Sequence, residues 1–563
     1  MTTFNTFAEK CNIIEQTSSS NDIINQIVDL LNTIQPDEVP IVAKFLIGEI
    51  FPTHYDQQMG IGTGLLYEAI IRTSNGTMDE LNNILRKTGD IGETAKNMIN
   101  KRTNKQFTFD MFSSNGQDNN DISLHEVYDR FNQISQSNGH KSKEKKLKHI
   151  QYLLDHVNPD GIKYITRLAI EDMHIGIGMQ NLLKAIAQKY EIQFKYIEKA
   201  YSLTNRIEIV SDIAEKEGES GIKSLDMQIN QPIQMMLAQI DEKPIDEIIN
   251  QQKESAIEWK FDGIRLQIHY DHGNVQIYSR KLDNLTESLP DVVQNIKDSI
   301  KINDTLVIEG EAVAVDKNGN PMNFQSILRR ARRKNDIEKH SQDYPIKTYL
   351  YEITYLSNIS LVDKPLIERH QILKETIQNT SHVEVCDQIV TDDLDTINKI
   401  YKNALDAGHE GIMIKDPYST YTPGKRGKKW TKKKPIKDTL DLVVTSAEWG
   451  KGQRTGKFGS FTLSCYDPEQ ETYLSIGKVG SAFKDDVLNN LTERIKPIIE
   501  SSDGTSVNIK PELIFEIAYE AIQKSPTYDS GFALRFPRLV TVREDKPLSE
   551  VDILQNIHTI NQQ

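Results

Sequence analysis

In HIQYLLDHV, residues 149–157, apolar side chains recur at Ile150, Leu153, Leu154 and Val157. This i, i+3, i+4, i+7 spacing predicts one buried face of a helix. Asn158-Pro159 follows, a capping residue and a first-turn proline, so a second helix should start there. It runs through GIKYITRLAIEDM until Gly176 and Gly178 interrupt it, and MQNLLKAIAQKY resumes the period. Such patterning extends from residue 1 to about 225 and predicts an all-helical region. Within it SSNGQDNNDIS, 113–123, is polar and turn-rich and reads as a mobile loop. The Gly176–Gly178 junction reads as a tight turn between packed helices, with backbone N–H groups that could hold a phosphate.

From about residue 231 the period shortens. AIEWKF, RLQIHY, VQIYSR, TLVIEGEAVAV, KTYLYEITYL and GIMIK alternate or run apolar as strands do, with helical stretches LPDVVQNIKDSI and DTINKIYKNALDAG between them. The pattern predicts an α+β domain built on antiparallel sheet. Near 437 it changes again: DLVVTSAEW, SFTLSCYD, TYLSIGKV and PELIFEIAYEAIQ are short strands with Gly-rich turns, as in a small β-barrel. No internal repeat is evident.

Length and composition add bounds. A chain of 563 residues is too long for one ordinary core. Mean hydropathy is −0.51 and no run of about 18 apolar residues occurs, so no membrane span is expected. The N-terminus lacks the basic-then-apolar layout of a signal peptide, which fits a cytoplasmic protein. Cys11, Cys386 and Cys465 are far apart, which excludes a four-thiolate zinc site and argues against a disulfide framework. The net charge of −14 argues weakly against a polyanionic partner. Local fields matter more at a binding face. Three basic blocks stand out: 140–149 (HKSKEKKLKH), 329–334 (RRARRK) and 424–437, which contains no acid. Such blocks are mostly solvated faces, yet three on an acidic chain point to phosphate binding.

The stretch EWKFDGIRLQIH, 258–269, carries candidate chemistry. In a strand, Glu258, Lys260 and Asp262 share one face, while Trp259 and Phe261 point into a core. Gly263 permits a sharp turn or a close ligand. Lysine is a nucleophile only when unprotonated, against a reference pKa of about 10.4. Flanking carboxylates oppose that, so positive groups should stand nearby. Arg265 and Arg280 lie on adjoining predicted strands. Glu309 and Glu311 share a face in VIEGEAVAVD, Glu410 precedes the strand ending in Lys415, and Trp430, Lys432 and Lys434 share a face in KWTKKKP. Two separate carboxylates suit Mg2+, and two lysines suit a triphosphate.

The order K-x-D-G-x-R, S-R, E-G-E, an aromatic strand, E-G-I-M-I-K and K-x-K resembles the covalent nucleotidyltransferases: ATP-dependent DNA and RNA ligases and mRNA capping enzymes. PIQMMLAQ, RLAIEDMHIGIG, SAEWGKGQRTGKFGSFTL and RFPRLVTVREDKP extend the resemblance along nearly the whole chain, to DNA ligases of the archaeal and eukaryotic replicative type. The resemblance implies a helical DNA-binding domain at 1–228, an adenylation domain at 229–436 and an OB-fold domain at 437–563. It implies ATP and Mg2+, or Mn2+, as cofactors, and Lys260 as the lysine that becomes lysyl-AMP. Glu258 would contact the adenine end, Arg265 and Arg280 ribose or phosphate, and Glu311 nucleotide or metal, with Glu410 the second metal carboxylate. Tyr351 would stack on adenine; the family's Phe-Asp pair reads Tyr351-Glu352 here, and Asp283 stands where the family often has Glu. Arg426 and Lys432 match phosphate-binding positions, with Asp262, Lys415 and Lys434 secondary.

Arg535, Arg538, Arg543, Asp545 and Lys546 match the closing motif, which acts on pyrophosphate and implies a hinge near 435–440. Nicked duplex DNA is the implied partner, the chain a monomer in a prokaryotic cytoplasm at the nucleoid. NKQFTFDMF, 104–112, with Gln106, Phe107 and Phe109, resembles a motif that docks on the replication sliding clamp; a loop packing on its own domain is the equal alternative. An RNA ligase or capping enzyme is the competing reading within the superfamily, and a non-catalytic nucleic-acid-binding protein the competing one outside it. An NAD+-dependent ligase is disfavoured, since its zinc module needs four cysteines.

Overall fold

Helix starts in the N-terminal third are dictated by local chemistry. Asn158 Oδ1 accepts from Gly161 N at 2.7 Å with Pro159 in the first turn, as expected of that pair. Thr3, Ser19 and Ser123 cap the helices Phe4–Glu15, Ser20–Thr33 and Leu124–Gln136 in the same way. Ile150, Leu153 and Leu154 all lie on the buried face of helix Ser142–Asp155. The structure is a computed structural model. It describes residues 1–52, 57–110, 121–139, 141–240, 243–250, 254–322, 324–331, 341, 343–435, 439–450, 454–480, 483–503 and 505–562; the side chains of 102–110, 240, 324, 325 and 562 fall outside that description. Most of the 113–123 loop and the hinge positions 436–438 therefore lie outside the described residues.

Backbone contacts divide the chain into two units: Met1–Thr63 with Asn119–Gly161 and Arg167–Pro435, and Gly64–Asp118 with Ile162–Thr166 and Ile436–Gln563. In the first unit Phe4, Phe7 and Phe45 form a buried triad with centroids 5.4–6.2 Å apart. The fully described strands that follow are β1 (Leu237–Ile240), β2 (Ser255–Lys260), β3 (Ile264–Asp271), β4 (Asn274–Ser279), β5 (Thr305–Ala314), β6 (Ile346–Leu356), β7 (Ile359–Ser360), β8 (Val383–Val385), β9 (Ile389–Thr391), β10 (Gly411–Lys415) and β11 (Arg426–Lys433). They form two sheets, β1-β11-β10-β2-β9 and β4-β3-β5-β6-β7 with β8 beside β6.

All pairs are antiparallel except β1–β11 and β6–β8, so two parallel pairs are added to a domain built on antiparallel sheet. The second is parallel because helix Leu366–Thr376 carries the chain back between β6 and β8, the crossover that parallel pairing needs. The two sheets are joined at two short links, Phe261–Gly263 between β2 and β3 and Cys386–Gln388 between β8 and β9. The first tolerates nothing larger than glycine at 263, where a Cβ would stand 2.2 Å from Ala312 O. Leu266, Ile268, Leu306, Ile308 and Leu350 pack beneath helix Pro290–Ser299 as one core.

The basic block at 329–334 is not a uniformly solvated face. Arg330 is fully buried, donates to Ser288 O at 2.6 Å and pairs with Asp291, because helix Phe324–Ala331 turns that side inward. Positions 332–334 lie outside the described residues.

The second unit is sheet-rich beyond its helices. β12 (Thr439–Trp449), β13 (Phe458–Asp467), β14 (Thr472–Val479), β15 (Ile499–Asp503), β16 (Ser506–Ala518), β17 (Ala521–Lys524), β18 (Phe532–Arg535) and β19 (Arg538–Val542) follow in order. They pair as β14-β13-β12-β16-β15 with β19 on β16, and β17 with β18. Phe458, Phe461 and Phe515 centre the core, closed by Leu488 and Leu491 of helix Asp485–Ile495 and by Ile557 near the C-terminus. The three cysteines are buried and form no disulfide with one another.

Candidate active site

The alternation of β2 decides what its side chains meet. Its register against β10 sets Lys260 opposite Gly411 and Glu258 opposite Met413; β11 adds Lys432 opposite Met413 and Trp430 opposite Lys415. Glu258, Met413 and Lys432 therefore line one row across three strands. On the other face Trp259 and Phe261 pack as expected: Phe261 stacks on Tyr349 at 4.0 Å and 11°, and His409 sits edge-on to it at 4.9 Å. Burial, reinforced by Lys347, pushes His409 down to about 4, so it serves this packing as a neutral ring.

Lys260 ends β2, and its backbone carbonyl accepts from Glu410 N at 2.9 Å. The side chains meet again: Lys260 Nζ lies 2.5 Å and Lys434 Nζ 2.6 Å from the same oxygen, Glu410 Oε2. Burial works against this carboxylate, but the two ammonium groups hold its pKa down at about 2. Gly411, at φ 135°, lets the chain pass close to β11, since a Cβ there would stand 2.2 Å from Lys433 O.

Glu311 presents the opposite case. Burial raises it to about 7; Lys260 and Arg265 pull it down, while Glu410 and Asp262 push it further up. Asp262 itself lies past the end of β2, in the link to β3, half-buried. Glu309, two residues before Glu311, is fully buried and takes Arg265 Nη2 at 2.6 Å, Tyr421 OH at 2.6 Å and Gln267 Nε2 at 3.2 Å. Arg265 also donates to Met236 O at 2.7 Å. Burial raises Tyr351 well above the phenol range. Its ring lies 5.1 Å from Lys415 Nζ and 5.7 Å from the Arg265 guanidinium. Lys415 is buried, ion-paired with Glu258 and 4.4 Å from the Trp430 ring.

The structure thus brings together Lys260, Glu410, Lys434 and Glu311, and beside them Glu258, Lys415, Tyr351 and Arg265. Arg280 is exposed just past β4, and Arg426 is exposed at the start of β11. Arg535, Arg538, Arg543, Asp545 and Lys546 belong to the second unit. There Arg543 pairs with Asp545 at 2.8 Å and with Asp441 at 3.4 Å, and Lys546 reaches Asp441 at 2.5 Å. Arg535 ends β18 and Arg538 is exposed on β19. Gln106, Phe107 and Phe109 fall on helix Ile91–Asp110, but their side chains lie outside the described residues.

Sequence reading missed several members. Gln388 donates to Glu258 Oε1 at 2.7 Å from the link between the sheets, and Tyr421 and Gln267 fix Glu309. Gln388 and Tyr421 sit in unpatterned stretches, and Gln267 on the patterned strand β3 meets Glu309 only through the strand order of the folded chain. Glu352, the departure from Phe-Asp, is fully buried and paired twice with Arg369, each contact at 2.8 Å.

Three family descriptions match in order: "DNA ligase N terminus" over 3–187, "ATP dependent DNA ligase domain" over 235–434 and "ATP dependent DNA ligase C terminal region" over 454–546. DNA ligase 2 of Methanosarcina acetivorans is 43% identical, with 100% of this chain and 99% of that protein aligned. The DNA ligase of Archaeoglobus fulgidus is 38% identical over 99% of this chain and 98% of that one. A solved structure named "Pmar-Lig_Pre." shares the fold, with a TM-score of 0.60 at 17% identity over 96% of this chain and 99% of that one. Among the described residues no helix is long and apolar enough to cross a membrane. Full-length identity and three matching domains in order establish that the chain belongs to the ATP-dependent DNA ligases.

Proposed function

We propose that this DNA ligase forms its lysyl-AMP on Lys260 and that the β2–β10–β11 row is the nucleotide face. The enzyme uses ATP and a divalent metal to seal nicks in duplex DNA. The observation that carries the assignment is the meeting of Lys260 and Lys434 on Glu410, beside Glu311 and the Glu258–Lys415 pair. An ammonium has no lone pair, so Lys260 must leave Glu410 and give up a proton to solvent before it attacks, and a second as the N–P bond forms. Its nitrogen then bonds to the α-phosphorus while the bond to the β-phosphate oxygen breaks and pyrophosphate leaves. Lys432 and Lys434 stabilise the charge on the phosphates, and Tyr351 and Glu258 hold the base. AMP then passes to the 5′-phosphate at the nick, and the adjacent 3′-hydroxyl displaces it.

Glu311 and Glu410 fit a divalent cation: both are half-buried carboxylates, and Glu410 raises the cost of charge on Glu311 until a cation is shared. Mg2+, with Mn2+ as substitute, would be held by these two and by substrate phosphates, supplying positive charge opposite the leaving group. Arg265, Arg280 and Arg426 are read as ribose and phosphate contacts. Asp262 is a secondary member.

The chain is read as three domains, 1–228, 229–436 and 437–563, the last an OB-fold barrel whose Arg535, Arg538, Arg543, Asp545 and Lys546 act on pyrophosphate. A monomer working on nucleoid DNA in the cytoplasm, with 104–112 as a sliding-clamp contact, completes the reading. Labelling tests its centre. The protein is incubated with α-labelled ATP, GTP or NAD+ and Mg2+, then denatured. Label from ATP that is lost in Lys260→Ala, together with sealing of nicked duplex, is expected; label from GTP alone, or none, contradicts it.

A further inference from the structure

The carboxylate of Glu258 is held at both oxygens from inside the protein. Lys415 pairs with Oε2, and Gln388 Nε2 donates to Oε1 at 2.7 Å. The two donors come from different places: Lys415 ends β10 in the same sheet, whereas Gln388 lies on the Cys386–Gln388 link that joins the two sheets. That link is fixed at its start. Cys386 N donates to Leu350 O at 2.8 Å, one residue before Tyr351, and Cys386 O accepts from His370 at 2.9 Å. At its end β9 pairs directly with β2, Ile389 opposite Ile257. One three-residue span therefore ties the strand that bears Tyr351 to the strand that bears Glu258.

We infer that Gln388 is a positioning residue for base selection, holding Glu258 as an oriented acceptor for the exocyclic amine of a 6-aminopurine nucleotide. This rests on the nucleotide face proposed above. An ionised carboxylate has about four lone-pair sites and no donor. Two are used by Lys415 and Gln388, and the rest can only accept, never donate. A 6-amino group offers that donor; the 6-oxo group of guanine presents a lone pair and is rejected, because a desolvated acceptor facing an acceptor has no compensating bond. Gln388 also fixes the carboxylate plane. Lys415 alone would leave it free to rotate about its Oε2 contact.

The test uses the full-length enzyme and three labelled triphosphates: ATP, GTP and purine riboside triphosphate, which is ATP without the exocyclic amine. Lysyl-nucleotide formation gives a half-saturating concentration and a limiting rate for each. Gln388→Leu is expected to raise the half-saturating ATP about tenfold, the scale of one hydrogen bond to a charged group, with a much smaller change in limiting rate. Purine riboside triphosphate should shift by less than twofold, so the preference for ATP over it shrinks about tenfold. Gln388→Glu, which sets an acceptor against Glu258, should lose the preference at least as completely. Equal shifts for ATP and the analogue, no shift for either, or equal use of both by the wild-type enzyme would overturn the inference. Wild-type enzyme that takes no label from any triphosphate instead removes the proposed nucleotide face itself.

Discussion

Glu311 and Glu410 bracket Lys260 with opposite proton affinities, and this sets a pH signature. Glu410, held near 2, stays ionised throughout the neutral range, whereas Glu311, near 7, is mostly protonated at pH 6 and mostly ionised at pH 8. A cation needs the ionised form. The Mg2+ concentration for half-maximal self-adenylylation should therefore fall about tenfold between pH 6 and pH 8. A requirement that is flat across that window contradicts Glu311 as a ligand. The Glu352–Arg369 pair makes a second residue-scale case. Both side chains are fully buried and doubly bonded, so Arg369→Met strands a charge and should cost about 3–5 kcal/mol in urea unfolding, measured where the transition is reversible. Period-two alternation foretold which way Lys260 and Trp259 point. It could not foretell that Glu352 faces Arg369, because that partner is 17 residues away on a helix whose docking depends on the finished sheet.

Helix Val39–Ile47 ends at Gly48, and the next residue, Glu49, is set against Glu208 and Glu171. Burial, then Glu208 and Glu171, raise Glu49 from 4.5 to about 7, with Lys44 opposing. Between those values the folded chain binds more protons than the unfolded chain. Stability therefore falls as pH rises through 4.5 to 7, and the cost is complete above it. Glu49→Gln should raise the urea midpoint at pH 8, by a free energy of about 1–3 kcal/mol, and do little at pH 5. At this scale the sequence was most readable where one rule acts alone. The Asn158-Pro159 start, the helix over Ile150–Leu154 and strands β2, β10 and β11 all follow from caps and periods. Parallel β8, the two-sheet division and the Cys386–Gln388 link depend on crossover path and register, which no local pattern encodes.

The whole molecule carries a net charge of −14 yet acts on a polyanion. Its affinity must come from local basic surfaces. Helix Ser142–Asp155 offers exposed Lys145 and Lys148 on such a surface, while Lys146 is turned inward to Met59 O and Gly60 O. If Lys145 and Lys148 each neutralise a phosphate, Lys145→Ala/Lys148→Ala should flatten the plot of log affinity for nicked duplex against log salt by about 1.8, or 0.9 per contact. Equal slopes for variant and wild type would remove this helix from the DNA face. Composition and period change near 231 and 437, and the three matched family descriptions follow in that order. The division into two contact units was not, since the second unit gathers helices from the N-terminal third with strands from the C-terminal one.

The clamp of Glu410 on Lys260 and Lys434 has a consequence for the enzyme between turnovers. A neutral, exposed lysine amine reacts with cyanate, thioesters and other stray electrophiles, and such damage at this one nitrogen would be permanent. On the proposal that Lys260 is the nucleophile, its 2.5 Å contact with Glu410 must open before the amine can meet any electrophile. On that proposal, the contact that gates attack on ATP also stands between the idle amine and stray electrophiles.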